Sequence, residues 1–80
     1  MPTDTTRYGD TVARKFRINR KDIWYLHFIF EAYDGVGTVS TVDARNGVIE
    51  IHIPSSRDEE ASLLIRELSR EISLMPLSPG

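Results

Sequence analysis

A chain of 80 residues with 40% hydrophobic and 28% charged residues has the balance of one globular domain with a modest core, which excludes a disordered chain. The absence of cysteine excludes disulfide frameworks, thiolate metal sites and cysteine nucleophiles, and points a domain this small toward oligomerisation for stability. With a net charge of −2 and both signs interspersed, no global field recruits nucleic acid or anionic lipid, so such a partner would need a local patch.

Residues 1–10, with Pro2 and Gly9 but no apolar periodicity, read as a flexible tail before a single domain over residues 11–75, with residues 76–80 as a C-terminal tail. That N-terminus lacks the basic and apolar blocks of a signal peptide, and no apolar run is long enough to span a bilayer. A cytoplasmic location and no membrane contact are therefore expected. Val12, Phe16 and Ile18 share one parity against Ala13, Lys15, Arg17 and Asn19, which predicts a first strand with Arg14 as its exception. Asn19 is placed to cap a helix running to about Asp34, with Gly35 as its left-handed terminator.

Val39 to Asp43 is β-branched and predicts a second strand, in which the opposite parity of Val39 and Val42 calls for a bulge or an edge position. Asp43-Ala44-Arg45-Asn46-Gly47 is a turn sequence, with Asn46-Gly47 suited to positive φ. It leads into a third strand with Ile49, Ile51 and Ile53 on one face. After Pro54, Ser56 and Glu59 have capping-box spacing, and Ala61, Leu64, Ile65, Leu68 and Ile72 make the apolar stripe of a second helix. The segment from Ser73, with Leu74, Met75 and Leu77 between prolines, supplies at most a short edge strand or a strap.

This order predicts an α+β fold, a ferredoxin-like β-α-β-β-α plait whose last strand is short or missing. One antiparallel-type sheet carries two helices on one face. A right-handed crossover through the first helix places the third strand between the first and second. The first strand is then at an edge unless the C-terminal segment or another subunit pairs with it, and Arg14, Lys15 and Arg17 read as its edge protection.

The run Asp22-Ile23-Trp24-Tyr25-Leu26-His27-Phe28-Ile29-Phe30-Glu31-Ala32-Tyr33-Asp34-Gly35, then Thr41-Val42-Asp43 and Gly47-Val48-Ile49-Glu50-Ile51-His52-Ile53-Pro54, resembles the bacterial family known as domain of unknown function 4911. The resemblance covers roughly residues 12–74, and its most distinctive part is Glu31-Ala32-Tyr33-Asp34-Gly35. It implies no activity, cofactor or catalytic residue. The element order is also similar to that of ACT-type regulatory domains, which bind amino acids and dimerise, although a shared fold does not transfer function.

No catalytic or metal site and no cofactor are expected. Gly35-Val36-Gly37 follows a helix and lacks the third glycine of a dinucleotide loop. Ser40, Ser55 and Ser56 lie outside any nucleophile elbow. His27, Glu31 and Asp34 share one stripe of the first helix and form a candidate polar site, which reads first as a solvated wedge because no further ligand has suitable spacing. His52 and Glu50 project from the third strand opposite its isoleucines.

Two binding surfaces follow, and the chain is read as a non-enzymatic interaction module, with small-molecule sensing kept as a further option. Lys15, Arg17, Arg20 and Lys21 form the only local basic cluster suited to single-stranded RNA on the open sheet face. Nucleic acid is disfavoured, because that face lacks aromatic residues and has Glu50 at its middle. The first helix carries the stronger signal, with five of the seven aromatic residues. Ile23, Leu26, Phe30 and Tyr33 line one side, and Trp24, Phe28 and Ala32 form a second line. Trp24, Phe28 and Ala32, flanked by Tyr25, are the expected interface of a homodimer, unless the second helix and the C-terminal segment cover them.

Overall fold

The computed structural model describes residues 11–77; the tail expected over residues 1–10, like residues 78–80, lies outside the described residues. The elements are β1 (Thr11–Ile18), α1 (Ile23–Ala32), β2 (Thr38–Asp43), β3 (Val48–Pro54), α2 (Asp58–Leu68) and β4 (Leu74–Leu77), with 3-10 turns at Arg20–Asp22 and Ser55–Arg57. Four strands pair antiparallel in the order β2-β3-β1-β4, a ferredoxin-like topology. The crossover places β3 beside β1 as expected. β4 then takes the outer edge and carries the sheet to Leu77, into the segment expected as a C-terminal tail.

The sheet face that receives the helices is set by parity. Phe16 and Ile18 of β1, Val39 of β2, and Ile49, Ile51 and Ile53 of β3 are buried with Leu26 and Phe30 of α1 and Ala61, Ile65 and Leu68 of α2 in one cluster. Both helices therefore cover the same face. The opposite parity of Val39 and Val42 resolves as the expected bulge, a register shift between Thr41 and Asp43. It bends the edge strand and blunts it against pairing with another chain. Because β4 pairs Lys15 with Leu77 and Arg17 with Met75, the basic residues of β1 do not guard a free edge over that stretch. Arg14 instead reaches Asp58 at the start of α2, at 3.2 Å.

Both helix starts depart from the sequence reading for one reason. Each is preceded by a 3-10 turn, so the α-helix begins beyond the expected cap residue, which no longer sits beside its first free N–H groups. Asn19 accepts the Asp22 N–H through its backbone carbonyl and makes no side-chain cap. Ser56 lies within the second turn, α2 starts at Asp58, and the capping box with Glu59 does not form. Asp58, Glu59 and Glu60 put three carboxylates in the first turn of α2, which complements the helix dipole without a capping side chain.

At the far end α1 stops at Ala32, two residues short of Asp34, and Gly35 at φ 82° turns the chain toward β2. Tyr33 has left the helical phase, and its side chain is half exposed rather than part of the core. In the β2–β3 turn only Gly47 takes positive φ, at 68°. Its carbonyl accepts the Ile18 N–H at 2.8 Å, so the turn is tied to the end of β1. Asp43 Oδ2 accepts from Asn46 Nδ2 at 2.7 Å, and the bonds from Asn46 hold the Asp43 carboxyl below its ordinary value.

Candidate functional site

The two apolar lines of α1 separate once the sheet is in place. Leu26 and Phe30 are buried, and Ile23 and Ile29 pack beside them against the core. Trp24 remains 67% exposed and Phe28 59%, and Ala32 beyond them is also exposed. Neither α2 nor β4 covers this line. A domain with no buried polar side chain among its described residues thus presents its single tryptophan and a neighbouring phenylalanine to solvent, an arrangement that marks contact surfaces more than ordinary surface.

Tyr25, also expected within the interface, is engaged inside the domain. It is half-buried against the core, and its hydroxyl donates to Glu71 Oε1 at 2.8 Å. That hydrogen bond, with partial burial and its partner's negative charge, holds the phenol above its ordinary value. The Tyr25 ring meets Trp24 edge to face, with centroids 5.7 Å apart and planes at 70°. Held by Glu71 and the core, the Tyr25 ring thus forms one wall beside the indole.

The residues of the polar wedge come together around one hollow. His27, Glu31 and Asp34 line a hollow of about 510 Å³ at the start of β2, joined by Thr38 and by His52 from β3. His27 Nε2 lies 3.3 Å from Thr41 Oγ1, and His52 Nε2 lies 3.2 Å from Glu50 Oε1. Among the described residues no three His, Asp or Glu side chains are grouped as metal ligands. His52 in this hollow was not foreseeable, since it depends on which end of β3 lies beside the C-terminal end of α1.

The basic residues divide between two places. Lys15 and Arg17 share the open sheet face with Glu50, where Lys15 lies opposite Glu50 in the register. Arg17 and Arg20 line a hollow of about 330 Å³ at the end of β1, which Arg45 enters from the β2–β3 turn. Lys21 lines the adjacent hollow with Arg20 and Arg45. Arg45 escaped sequence reasoning because the β1–β3 register, which runs to Arg17 opposite Val48 and on to the Gly47–Ile18 bond, decides how near that turn comes to β1. The helix side also exposes Leu63 of α2, beside Tyr33 on a hollow of about 290 Å³, and sequence reasoning had singled out neither for the surface.

No helix among the described residues is long and apolar enough to cross a membrane. No curated protein and no solved structure matches the chain. A family model described as Domain of unknown function (DUF4911) matches residues 16–72, from the middle of β1 to just beyond α2, and includes the whole of α1 with its exposed aromatic line. Because that match takes in most of the chain, this protein belongs to the DUF4911 family.

Proposed function

We propose that this domain is a non-enzymatic interaction module that associates with a second copy of itself through the outward line of α1. The observation that supports it is the exposure of Trp24 and Phe28 on a helix whose core-facing side is already filled by Leu26 and Phe30. Covering each ring contributes on the order of 2 kcal/mol from apolar area alone. Ala32, one turn beyond Phe28, is a low point where another helix can approach closely. A single-stranded RNA on the basic end of the sheet is the second reading. The approach of Arg45 to Arg17 and Arg20 favours it, and the lack of an aromatic stacking platform among those residues ranks it below self-association.

Trp24 is the chain's only tryptophan, so its fluorescence reads the proposed surface directly. Diluting the protein from about 100 μM should shift the emission to longer wavelength as the indole returns to water. Phe28→Glu should show the long-wavelength emission at every concentration. An emission maximum independent of concentration and identical in the two proteins would overturn the proposal.

A further inference from the structure

The outward line of α1 carries opposite charges at its two ends, with a spacing that matches its own reverse. At about 100° per residue, Lys21, Trp24, Phe28 and Glu31 fall on the side away from Leu26 and Phe30. They are separated by three, four and three residues, the interval along which paired helices meet. Lys21 belongs to the 3-10 turn that leads into α1, and because residues three apart eclipse in such a turn it stands one turn before Trp24. Measured from the level of Leu26, Trp24 and Phe28 lie two residues to either side, and Lys21 and Glu31 five.

Resting on the self-association proposed above, we infer that two copies pair through α1 antiparallel, about a two-fold axis at the level of Leu26. Trp24 then packs on the partner's Phe28, and Lys21 meets the partner's Glu31; the symmetry makes each contact twice. A parallel pairing would set Lys21 against Lys21 and Glu31 against Glu31 and align the two helix dipoles. The antiparallel one opposes the dipoles and joins unlike charges at both ends.

The charged groups are available for these contacts. The Lys21 side chain is 79% exposed, and its nearest acid is its own neighbour Asp22 at 3.6 Å. Glu31 is exposed, with no ion pair among the described residues. The four rings supply on the order of 600 Å² of contact area, about half of what a small specific interface buries, and the charged flanks extend it.

Charge exchange tests the register by sedimentation equilibrium at low ionic strength, where screening is weak. Lys21→Glu and Glu31→Lys should each weaken the dimer about tenfold, because both symmetric contacts become repulsive. Mixing the two variants should restore wild-type affinity as a heterodimer. The acid introduced at position 21 of one chain then meets the base introduced at position 31 of the other, and the unchanged Glu31 of the first chain meets the unchanged Lys21 of the second. The double exchange in one chain should restore the homodimer, and far-UV circular dichroism should be unchanged throughout. A wild-type dimer indifferent to the exchanges, or weakened variants that mixing does not rescue, would overturn the antiparallel register while leaving self-association standing. A wild-type monomer at about 100 μM would overturn self-association and the register with it.

Discussion

Replacing Trp24 and Phe28 together by glutamate is expected to give a folded chain of single-copy mass. Both side chains are more than half exposed within the fold, so a charge at either position stays hydrated and should cost the isolated domain about 0.5 kcal/mol or less. In the pair, the same carboxylates would replace apolar contacts on a desolvated surface. Losing two rings from each chain, four in the pair at about 2 kcal/mol each, removes roughly 8 kcal/mol of association energy, about five orders of magnitude in affinity. The same change at Leu26 or Phe30 has the opposite character. These side chains are 0% and 2% exposed, and an unpaired carboxylate there costs several kcal/mol, enough to unfold a domain of this size. Circular dichroism with light scattering separates the cases. A Trp24→Glu/Phe28→Glu protein that is unfolded, or still dimeric, would contradict the assignment of the outward line.

Gly47→Ala should be the most destabilising single substitution at a glycine, well above Gly35→Ala. Both residues have positive φ, at 68° and 82°, which costs an alanine about 1–2 kcal/mol. They differ in what a methyl group would meet. At Gly35 it meets the end of the Arg57 side chain at 2.8 Å, which can swing aside. At Gly47 it would lie 2.1 Å from the Ile18 backbone oxygen, and no rotamer change relieves that clash. The turn must lift off β1 and lose the Ile18 N–H to Gly47 carbonyl bond. With strain, clash and lost bond together, the cost should be about 3 kcal/mol or more, a large part of the stability of a small domain. Urea denaturation of the two variants measures the difference directly. Equal midpoints would contradict the part assigned to the Gly47 contact.

Strand parity made most of the fold legible. The isoleucines of β3, the alternation of β1 and the parity break at Val39 and Val42 are local signals that the antiparallel sheet preserves. The crossover rule then fixes which strand sits between which. The short strand β4 was less legible, because four residues containing Pro76 have too little alternation to distinguish a strand from a strap, and pairing with β1 decides it. Caps failed where a 3-10 turn came first, since the α-helix then starts beyond the side chain that was expected to reach its free N–H groups. Tyr33 failed for a related reason: the helical phase was carried one residue past the end of α1.

The candidate surface was legible as an alternative rather than as an answer. With so narrow a polar wedge, periodicity defines two apolar lines on α1 but does not rank them. The sheet ranks them by taking Ile23, Leu26 and Phe30 against the core. The wall that Tyr25 forms beside Trp24, and the approach of Arg45 to Arg17 and Arg20, depend on contacts between residues far apart in the chain. No spacing rule along one helix or strand contains them.

Sedimentation equilibrium of the unmodified protein at about 100 μM reads self-association without any substitution. Self-association through α1 predicts a mass of about 18 kDa, twice the 9.1 kDa of one chain. A single species of 9.1 kDa at that concentration would contradict it.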